Sequence, residues 1–156
     1  FHVQGSKFKV QRSRFKVQGS KLKVKSPGTR NLEPGTRNIE PGTFRWPVRV
    51  YYEDTDLGGV VYYANYLKFM ERARTEWLRA LGFEQTALAR DHGAVFVVSS
   101  LTIDYLEPAA FNDELTVTVE LEKLGAAQIL LKQGITRGAE ALATASVRIA
   151  KEPITP

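Results

Sequence analysis

One long amphipathic helix, placed in a chain that is otherwise patterned as strands, restricts the fold more than any other feature. From Asn65 onward the apolar residues recur at steps of three and four, the spacing of a single buried helix face. They are Tyr66, Phe69, Met70, Ala73, Trp77, Leu78 and Leu81. Gly82 follows at the position where helices often end in a glycine. Such a helix has to bury its apolar face against a second layer of structure.

Five segments around this helix have the alternating or Val- and Ile-rich pattern that is typical of strands. One precedes the helix, at residues 44–52, and a short helical turn is predicted after it, at 84–91. The remaining four are 94–106, 114–123, 128–136 and 140–151. This order predicts an α+β fold in which an antiparallel sheet of about five strands wraps around one long helix.

Residues 1–43 are a low-complexity repeat with two kinds of seven-residue unit. The first unit begins at Phe1 and returns with changes at Phe8, Phe15 and Leu22; the second begins at Pro27 and returns at Pro34. The tail offers little apolar surface to offset the entropy lost on ordering, so we predict that it is disordered. Residues 44–156 are predicted to form one domain. Translation of a tandem DNA repeat upstream of the true start is a weaker alternative.

The tail also accounts for the positive charge of the chain. It holds ten of the 22 Lys and Arg residues and two of the 17 acids, a net charge of +8, so the remainder carries −3. Basic residues interleaved with Phe are compatible with binding to nucleic acid or anionic lipid. Nothing else in the chain supports that function, so no specific nucleic-acid partner is expected.

An acidic run followed by two glycines joins the first strand to the helix. It reads Glu53-Asp54-Thr55-Asp56-Leu57-Gly58-Gly59-Val60. Glycines let a ligand approach the backbone, and the first N–H groups of a helix are donors for a polar ligand. A carboxylate beside such donors suits attack on a carbonyl group, although Asp and Gly are also common turn formers. On an extended segment the two aspartates would point the same way.

Glu53 and Asp54 are expected to be structural partners of Arg49, Arg72 or Arg74. The last two arginines are expected on a solvated or ion-paired face of the helix. Residues that could support other chemistry are scarce. The chain has no cysteine, which excludes disulfides and thiolate nucleophiles, and its two histidines, His2 and His92, have no evident partner in sequence. No metal, cofactor, transmembrane segment or signal peptide is predicted, so the expected location is cytoplasmic.

The motif is specific enough to resemble a known family. Three segments carry the resemblance: 44–56, then Gly58-Gly59-Val60-Val61-Tyr62, then Glu71-Arg72-Ala73-Arg74-Thr75-Glu76. They resemble the 4-hydroxybenzoyl-CoA thioesterase group of hotdog-fold enzymes, and within it the tol-pal-associated acyl-CoA thioesterases. The similarity runs from about Phe44 to about Lys151. It implies a hotdog fold, Asp56 as the catalytic carboxylate and a backbone N–H near Tyr63 as the group that polarises the thioester carbonyl.

We assign Asp56 and Tyr63 to catalysis and Gly58, Gly59, Val60 and Asn65 to substrate binding. The tol-pal members usually carry His where this chain has Tyr63, which leaves the acyl preference open.

The expected reaction is hydrolysis of a short-chain or aromatic acyl-CoA without a cofactor, with Asp56 as base or nucleophile. The resemblance also implies edge-to-edge pairing, so a homodimer or homotetramer is expected, with strand 94–106 at the shared edge. Two alternatives remain: an accessory module of the tol-pal cell-envelope system with little catalysis, and a hotdog lyase acting on hydroxyacyl thioesters.

Overall fold

The computed structural model describes residues 8–9 and 42–154. The strands are β1 (Phe8–Lys9), β2 (Thr43–Arg49), β3 (Ala94–Tyr105), β4 (Glu114–Leu124), β5 (Gln128–Arg137) and β6 (Glu140–Pro153). The helices are α1 (Asn65–Ala80) and α2 (Gln85–His92), and a 3-10 turn occupies Tyr52–Asp54. The long helix, the short helix and the four strands after them therefore lie where the sequence pattern predicts them.

Within the described residues the strands form a single antiparallel sheet in the order β1-β3-β6-β5-β4-β2. The helix α1 packs across one face of this sheet, mainly over β4 and β2. Five of the strands are the predicted ones, and β1 adds a two-residue pairing at the outer edge of β3. The prediction of an α+β fold with a sheet wrapped around one helix is confirmed, and this is the hotdog arrangement that the resemblance implies.

The core lies between α1 and the inner face of the sheet, and the periodicity of the sequence places it there. The predicted apolar face of α1 is buried, with Met70 and Ala73 wholly inaccessible to solvent. On β4, the alternate residues Leu115, Val117 and Val119 are also wholly buried, while the residues between them are partly exposed. The apolar side chains of the helix face and of the alternate strand positions thus pack together in one layer.

Arg74 departs from the prediction of a solvated or ion-paired helix face. It is buried, and its Nη1 donates a 2.8 Å hydrogen bond to Oε1 of Gln133 on β5. Gln133 in turn donates to the carbonyl oxygens of Met70, at 3.1 Å, and Thr118, at 3.4 Å. Desolvation by burial lowers the pKa of Arg74. The prediction was wrong because Gln133 supplies a polar partner on the inward face of β5, between Leu131 and Ile135.

The first strand is shorter than predicted. It ends at Arg49, whose guanidinium pairs with Glu114 at 3.3 Å rather than with Glu53 or Asp54. After it, Val50 exchanges backbone hydrogen bonds with Asn112 and Asp113 in the β3–β4 connection. The chain then closes into the 3-10 turn, so the acidic run does not continue an extended strand.

The prediction of disorder for residues 1–43 concerns positions that, except for 8–9 and 42–43, lie outside the described residues. In the part that is described, Phe8 is paired with Ile103 and Lys9 with Thr102 on the outer edge of β3. The strand β2 begins at Thr43, one residue before the predicted start of the domain.

Removing one member of the Arg74–Gln133 pair should lower the free energy of unfolding more than replacing both members with apolar residues. Gln133→Ala leaves the buried guanidinium without its amide acceptor, so we expect the free energy of unfolding to fall by about 2–3 kcal/mol. The double variant Arg74→Met, Gln133→Leu removes both polar groups and fills a similar volume, so it should stay within about 1 kcal/mol of wild type. Urea unfolding followed by circular dichroism measures both. A Gln133→Ala protein as stable as wild type would show that the pair contributes nothing.

Candidate active site

The acidic run forms a tight turn that closes on itself. The N–H of Asp56 donates to the carbonyl of Val60 at 2.9 Å, and the N–H of Gly59 donates to the carbonyl of Asp56 at 3.0 Å. Thr55 and Val61, which flank Asp56 and Val60, form an antiparallel bridge. Gly59 has a φ of +78°, a left-handed conformation that favours glycine. We call residues 54–60 the acid turn.

The two aspartates of the acid turn have different surroundings. Asp54 is buried, and its Oδ2 accepts a 2.9 Å hydrogen bond from the N–H of Tyr51. Asp56 is exposed, and its Oδ1 accepts a 2.8 Å hydrogen bond from the N–H of Gly58. The expectation that both carboxylates point the same way was wrong, because Asp54 belongs to the 3-10 turn and no extended segment runs from Asp54 to Asp56. One carboxylate is therefore structural and the other faces solvent.

The start of α1 is tied to the acid turn through the carbonyl oxygen of Asp54. That oxygen accepts hydrogen bonds from the N–H of Tyr62 and from Nδ2 of Asn65, both at 2.9 Å. The N–H of Asn65 donates to the carbonyl of Tyr62 at 2.8 Å, and that of Leu67 donates to the carbonyl of Ala64 at 3.2 Å. These donors are used inside the chain.

The residues assigned to the site from sequence fall into two groups. Gly58 and Gly59 are exposed beside Asp56, and Tyr63 is exposed immediately before the helix. Val60 is half-buried and bridges to Ala110, and Asn65 is buried with its amide directed at Asp54. The structure thus presents the acid, the glycines and Tyr63 at the surface, while Asn65 holds the turn from within.

The β3–β4 connection supports the acid turn from the other side, which the sequence alone did not indicate. Its residue Ala109 accepts a 2.8 Å hydrogen bond from the N–H of Val61. Asp113 anchors this connection, since its Oδ2 accepts from the N–H of Ala110 at 2.9 Å and from Nη1 of Arg137 at 2.6 Å. Burial opposes ionisation of Asp113, but these two donors outweigh it and lower its pKa. Asn112, at a φ of +69°, marks the tight turn.

Aromatic side chains surround the helix start, and one of them was missed from sequence. Tyr105, the last residue of β3, donates its phenol hydrogen to the carbonyl oxygen of Tyr63 at 2.8 Å. A hydrogen bond to Tyr63 and repulsion by it raise the pKa of Tyr62. Tyr52 is stacked on Phe111 at the surface, with ring centroids 3.8 Å apart. The only sequence signal for Tyr105 was its place at the end of a predicted strand.

Two cavities lie away from the acid turn. One of about 370 Å³ is at the β4–β5 turn and includes Lys123 and Arg148 in its lining, and one of about 40 Å³ is lined by apolar residues near the end of α1. Among residues 8–9 and 42–154 no group of three His, Cys, Asp or Glu side chains could hold a metal ion. Over the same residues, no helix is both long and apolar enough to cross a membrane.

The contrast between the aspartates predicts unequal effects of their removal on stability. Asp54→Ala removes the acceptor for the Tyr51 N–H, so the free energy of unfolding should fall by about 1–2 kcal/mol. Asp56→Ala changes an exposed side chain and should alter it by less than about 0.5 kcal/mol. Urea denaturation of the two variants beside wild type makes the comparison. Equal losses would contradict the division into a structural and an exposed acid.

Comparison with known proteins gives close relatives among thioesterases. The acyl-CoA thioesterase YbgC of Haemophilus influenzae is 50% identical over 107 residues, which cover 69% of this chain and 79% of that protein. A probable thioesterase from Bartonella henselae superposes with a TM-score of 0.68 at 39% identity, covering 71% of this chain and 92% of that one. A 1,4-dihydroxy-2-naphthoyl-CoA thioesterase from Synechocystis superposes with a TM-score of 0.68 at 25% identity, covering 73% and 85%.

A family model matches residues 58–144, which is more than half of the sequence and runs from the glycines of the acid turn into β6. On these grounds the chain is an enzyme of the thioesterase superfamily.

Proposed function

We propose that this enzyme hydrolyses the thioester bond of a short-chain or aromatic acyl-CoA, with Asp56 as the reacting carboxylate. The exposure of Asp56 beside a helix start, while its neighbour Asp54 is buried and occupied, is the observation that carries the proposal. Relatives named as acyl-CoA thioesterases support the substrate class, and a relative that acts on a naphthoyl-CoA supports an aromatic acyl group as one option.

Two routes use the same carboxylate. In the first, Asp56 takes a proton from a water molecule whose oxygen attacks the thioester carbonyl. In the second, Asp56 attacks the carbonyl itself and forms an anhydride, which water then cleaves. Either route expels the CoA sulfur as a thiolate that takes up a proton. Oδ1 of Asp56 is held by the N–H of Gly58, and the described residues place no partner on Oδ2, which suits both routes.

Backbone N–H groups at the start of α1 stabilise the negative charge that develops on the thioester oxygen. The N–H groups of Tyr62, Asn65 and Leu67 donate within the chain. We assign the donors to the N–H of Tyr63, which the family resemblance implies, and to that of Ala64, the next one along the chain. The positive end of the helix dipole adds to their effect. Gly58 and Gly59 leave room for the thioester beside Asp56, Val60 lines the approach, and Asn65 contributes by holding the turn.

A lyase reaction is disfavoured by the position of His92. Such a reaction is expected to need a histidine paired with an acid, and His92 ends α2, just before β3 begins. The opposite end of β3, at Tyr105, contacts the helix start. A strand of that length spans about 35–40 Å. Association with the tol-pal system, the 4-hydroxybenzoyl-CoA thioesterase subgroup and a cytoplasmic location are proposals that rest on the sequence resemblance.

The proposed role of Asp56 predicts a large loss of turnover without unfolding. Asp56→Asn keeps the size of the side chain and removes the charge that either route needs, so kcat should fall about 10²- to 10⁴-fold. Thiol release from acetyl-, hexanoyl- and benzoyl-CoA measures this and defines the acyl preference. Glu53→Gln, an exposed acid in the same run, and Tyr63→Phe, which keeps its backbone N–H, are controls that should retain activity. No turnover by wild type on any acyl-CoA would favour the accessory-module alternative.

Assembly through the outer edge of β3 is the second part of the proposal. Only Ile103 and Thr102 have strand partners on that edge within the described residues, and Val97 and Val98 are exposed near its other end. An exposed strand edge tends to pair with another chain. A two-fold pairing of β3 strands makes a homodimer, and a homotetramer follows if two dimers associate. In that arrangement β1 competes with the partner for part of the edge.

Removal of the tail tests both the domain boundary and this assembly. A chain that begins at Thr43 should retain kcat and melting temperature, because α1, the acid turn and the five longer strands remain. It should dimerise at least as tightly as the full chain, since β1 no longer covers the edge. Light scattering across a dilution series, with activity measured at each step, gives the result. A fully active monomer, or a truncated chain that fails to fold, would contradict the proposal.

A further inference from the structure

The turn that leads into α1 has two successive carbonyl groups held in place. The carbonyl of Tyr62 accepts a 2.8 Å hydrogen bond from the N–H of Asn65, inside the backbone of the turn. The carbonyl of Tyr63 accepts a 2.8 Å hydrogen bond from the phenol of Tyr105, which lies 42 residues further along the chain. The first carbonyl is held by local structure, whereas the second depends on a side chain from the sheet.

Holding a carbonyl fixes the whole peptide plane. The C=O and N–H of a trans peptide are nearly antiparallel because the unit is planar. The peptide whose carbonyl belongs to Tyr62 carries the N–H of Tyr63, and the peptide whose carbonyl belongs to Tyr63 carries the N–H of Ala64. The N–H of Ala64 is therefore aimed away from the phenol of Tyr105, and the N–H of Tyr63 away from the N–H of Asn65. Ala64 has helical dihedral angles, so these N–H groups face the N-terminal side of the helix, from which the acid turn enters.

Tyr105 is suited to hold this peptide because it is itself immobilised. It is buried, and its ring makes edge contacts with those of Tyr66, at 5.3 Å, and Tyr63, at 6.4 Å. Tyr66 is fixed in turn, since its phenol oxygen accepts a 2.9 Å hydrogen bond from the N–H of Ala109. Burial, with smaller contributions from Tyr66 and Tyr63, raises the pKa of Tyr105 to about 12. The phenol therefore keeps its proton and stays a donor at neutral pH.

We propose that Tyr105 is a positioning residue for thioester hydrolysis, whose phenol orients the Tyr63–Ala64 peptide so that the N–H of Ala64 can stabilise the oxyanion. The inference rests on the proposed function, since it assigns a role within that reaction. Tyr105 touches neither the substrate nor Asp56 in this account. It acts only through the backbone, which links the last residue of β3 to the start of α1.

The test is the variant Tyr105→Phe, which keeps the ring and its edge contacts but removes the O–H donor. We expect kcat to fall by about tenfold, less than the loss seen when an oxyanion donor is deleted outright. KM should change by less than about twofold, because the ground-state carbonyl needs the donor less than the oxyanion does. Binding of a thioether analogue of acyl-CoA, which lacks the reacting carbonyl, should be unchanged.

Tyr66→Phe is the matched control, because it removes a phenol from the same aromatic cluster and leaves the Tyr63 carbonyl held. It should keep kcat within about twofold of wild type, and its melting temperature should fall about as much as that of Tyr105→Phe, because each variant loses one hydrogen bond. Both melting temperatures are measured, and assays are run well below them.

Three results obtained with folded variants would overturn the inference. They are an unchanged kcat in Tyr105→Phe, an equal loss of kcat in Tyr66→Phe, and weaker binding of the thioether analogue in parallel with the loss of kcat. A Tyr105→Phe protein that does not fold would also overturn it, because the phenol would then be structural. If wild type and Glu53→Gln hydrolyse acyl-CoA, these results leave the proposed function standing. Absence of wild-type hydrolysis would overturn both.

Discussion

The carbonyl oxygen of Asp54 is the point on which the site depends, because it joins the acid turn to the helix. It accepts one hydrogen bond from the backbone of Tyr62 and another from the side chain of Asn65. The carboxylate of the same residue caps the N–H of Tyr51. With both ends of this short segment fixed, Asp56 is carried at the tip of the turn and needs no partner of its own beyond Gly58. Rigid support of this kind suits the role proposed for Asp56, because a reacting group must be held in position.

In a single chain, the aromatic and apolar side chains around the site are exposed to solvent. Tyr51, Tyr52, Tyr62 and Tyr63 are all between 45% and 76% exposed, and Leu57 is fully exposed. Apolar surface of this extent marks a place where another surface binds. A carboxylate and backbone donors act more strongly when water is excluded from them. Cover from a second subunit or from the substrate would supply that exclusion, which agrees with assembly through β3.

The sequence predicted those parts of the structure that depend on local periodicity. The start of α1 at Asn65, its buried apolar face and the four later strands follow from residue spacing alone. Contacts between distant segments could not be predicted in the same way. The inward position of Arg74 depends on Gln133, 59 residues away. The role of Asp54 depends on a 3-10 turn, which the strand-like pattern of the preceding residues did not indicate. The resemblance to a family identified the candidate acid but not what holds it.

The hydrogen bonds that shape the site differ widely in the length of chain they enclose. Those within the acid turn and helix start close loops of 11 residues or fewer, whereas the bond from Tyr105 to Tyr63 closes one of 42. The entropy lost on loop closure grows with loop length, so the short-range part is cheaper to assemble. During folding, the acid turn can form with α1 before β3 is in place. Fraying of β3 at Tyr105 would conversely leave the carboxylate in position while the peptide beside it loses its orientation.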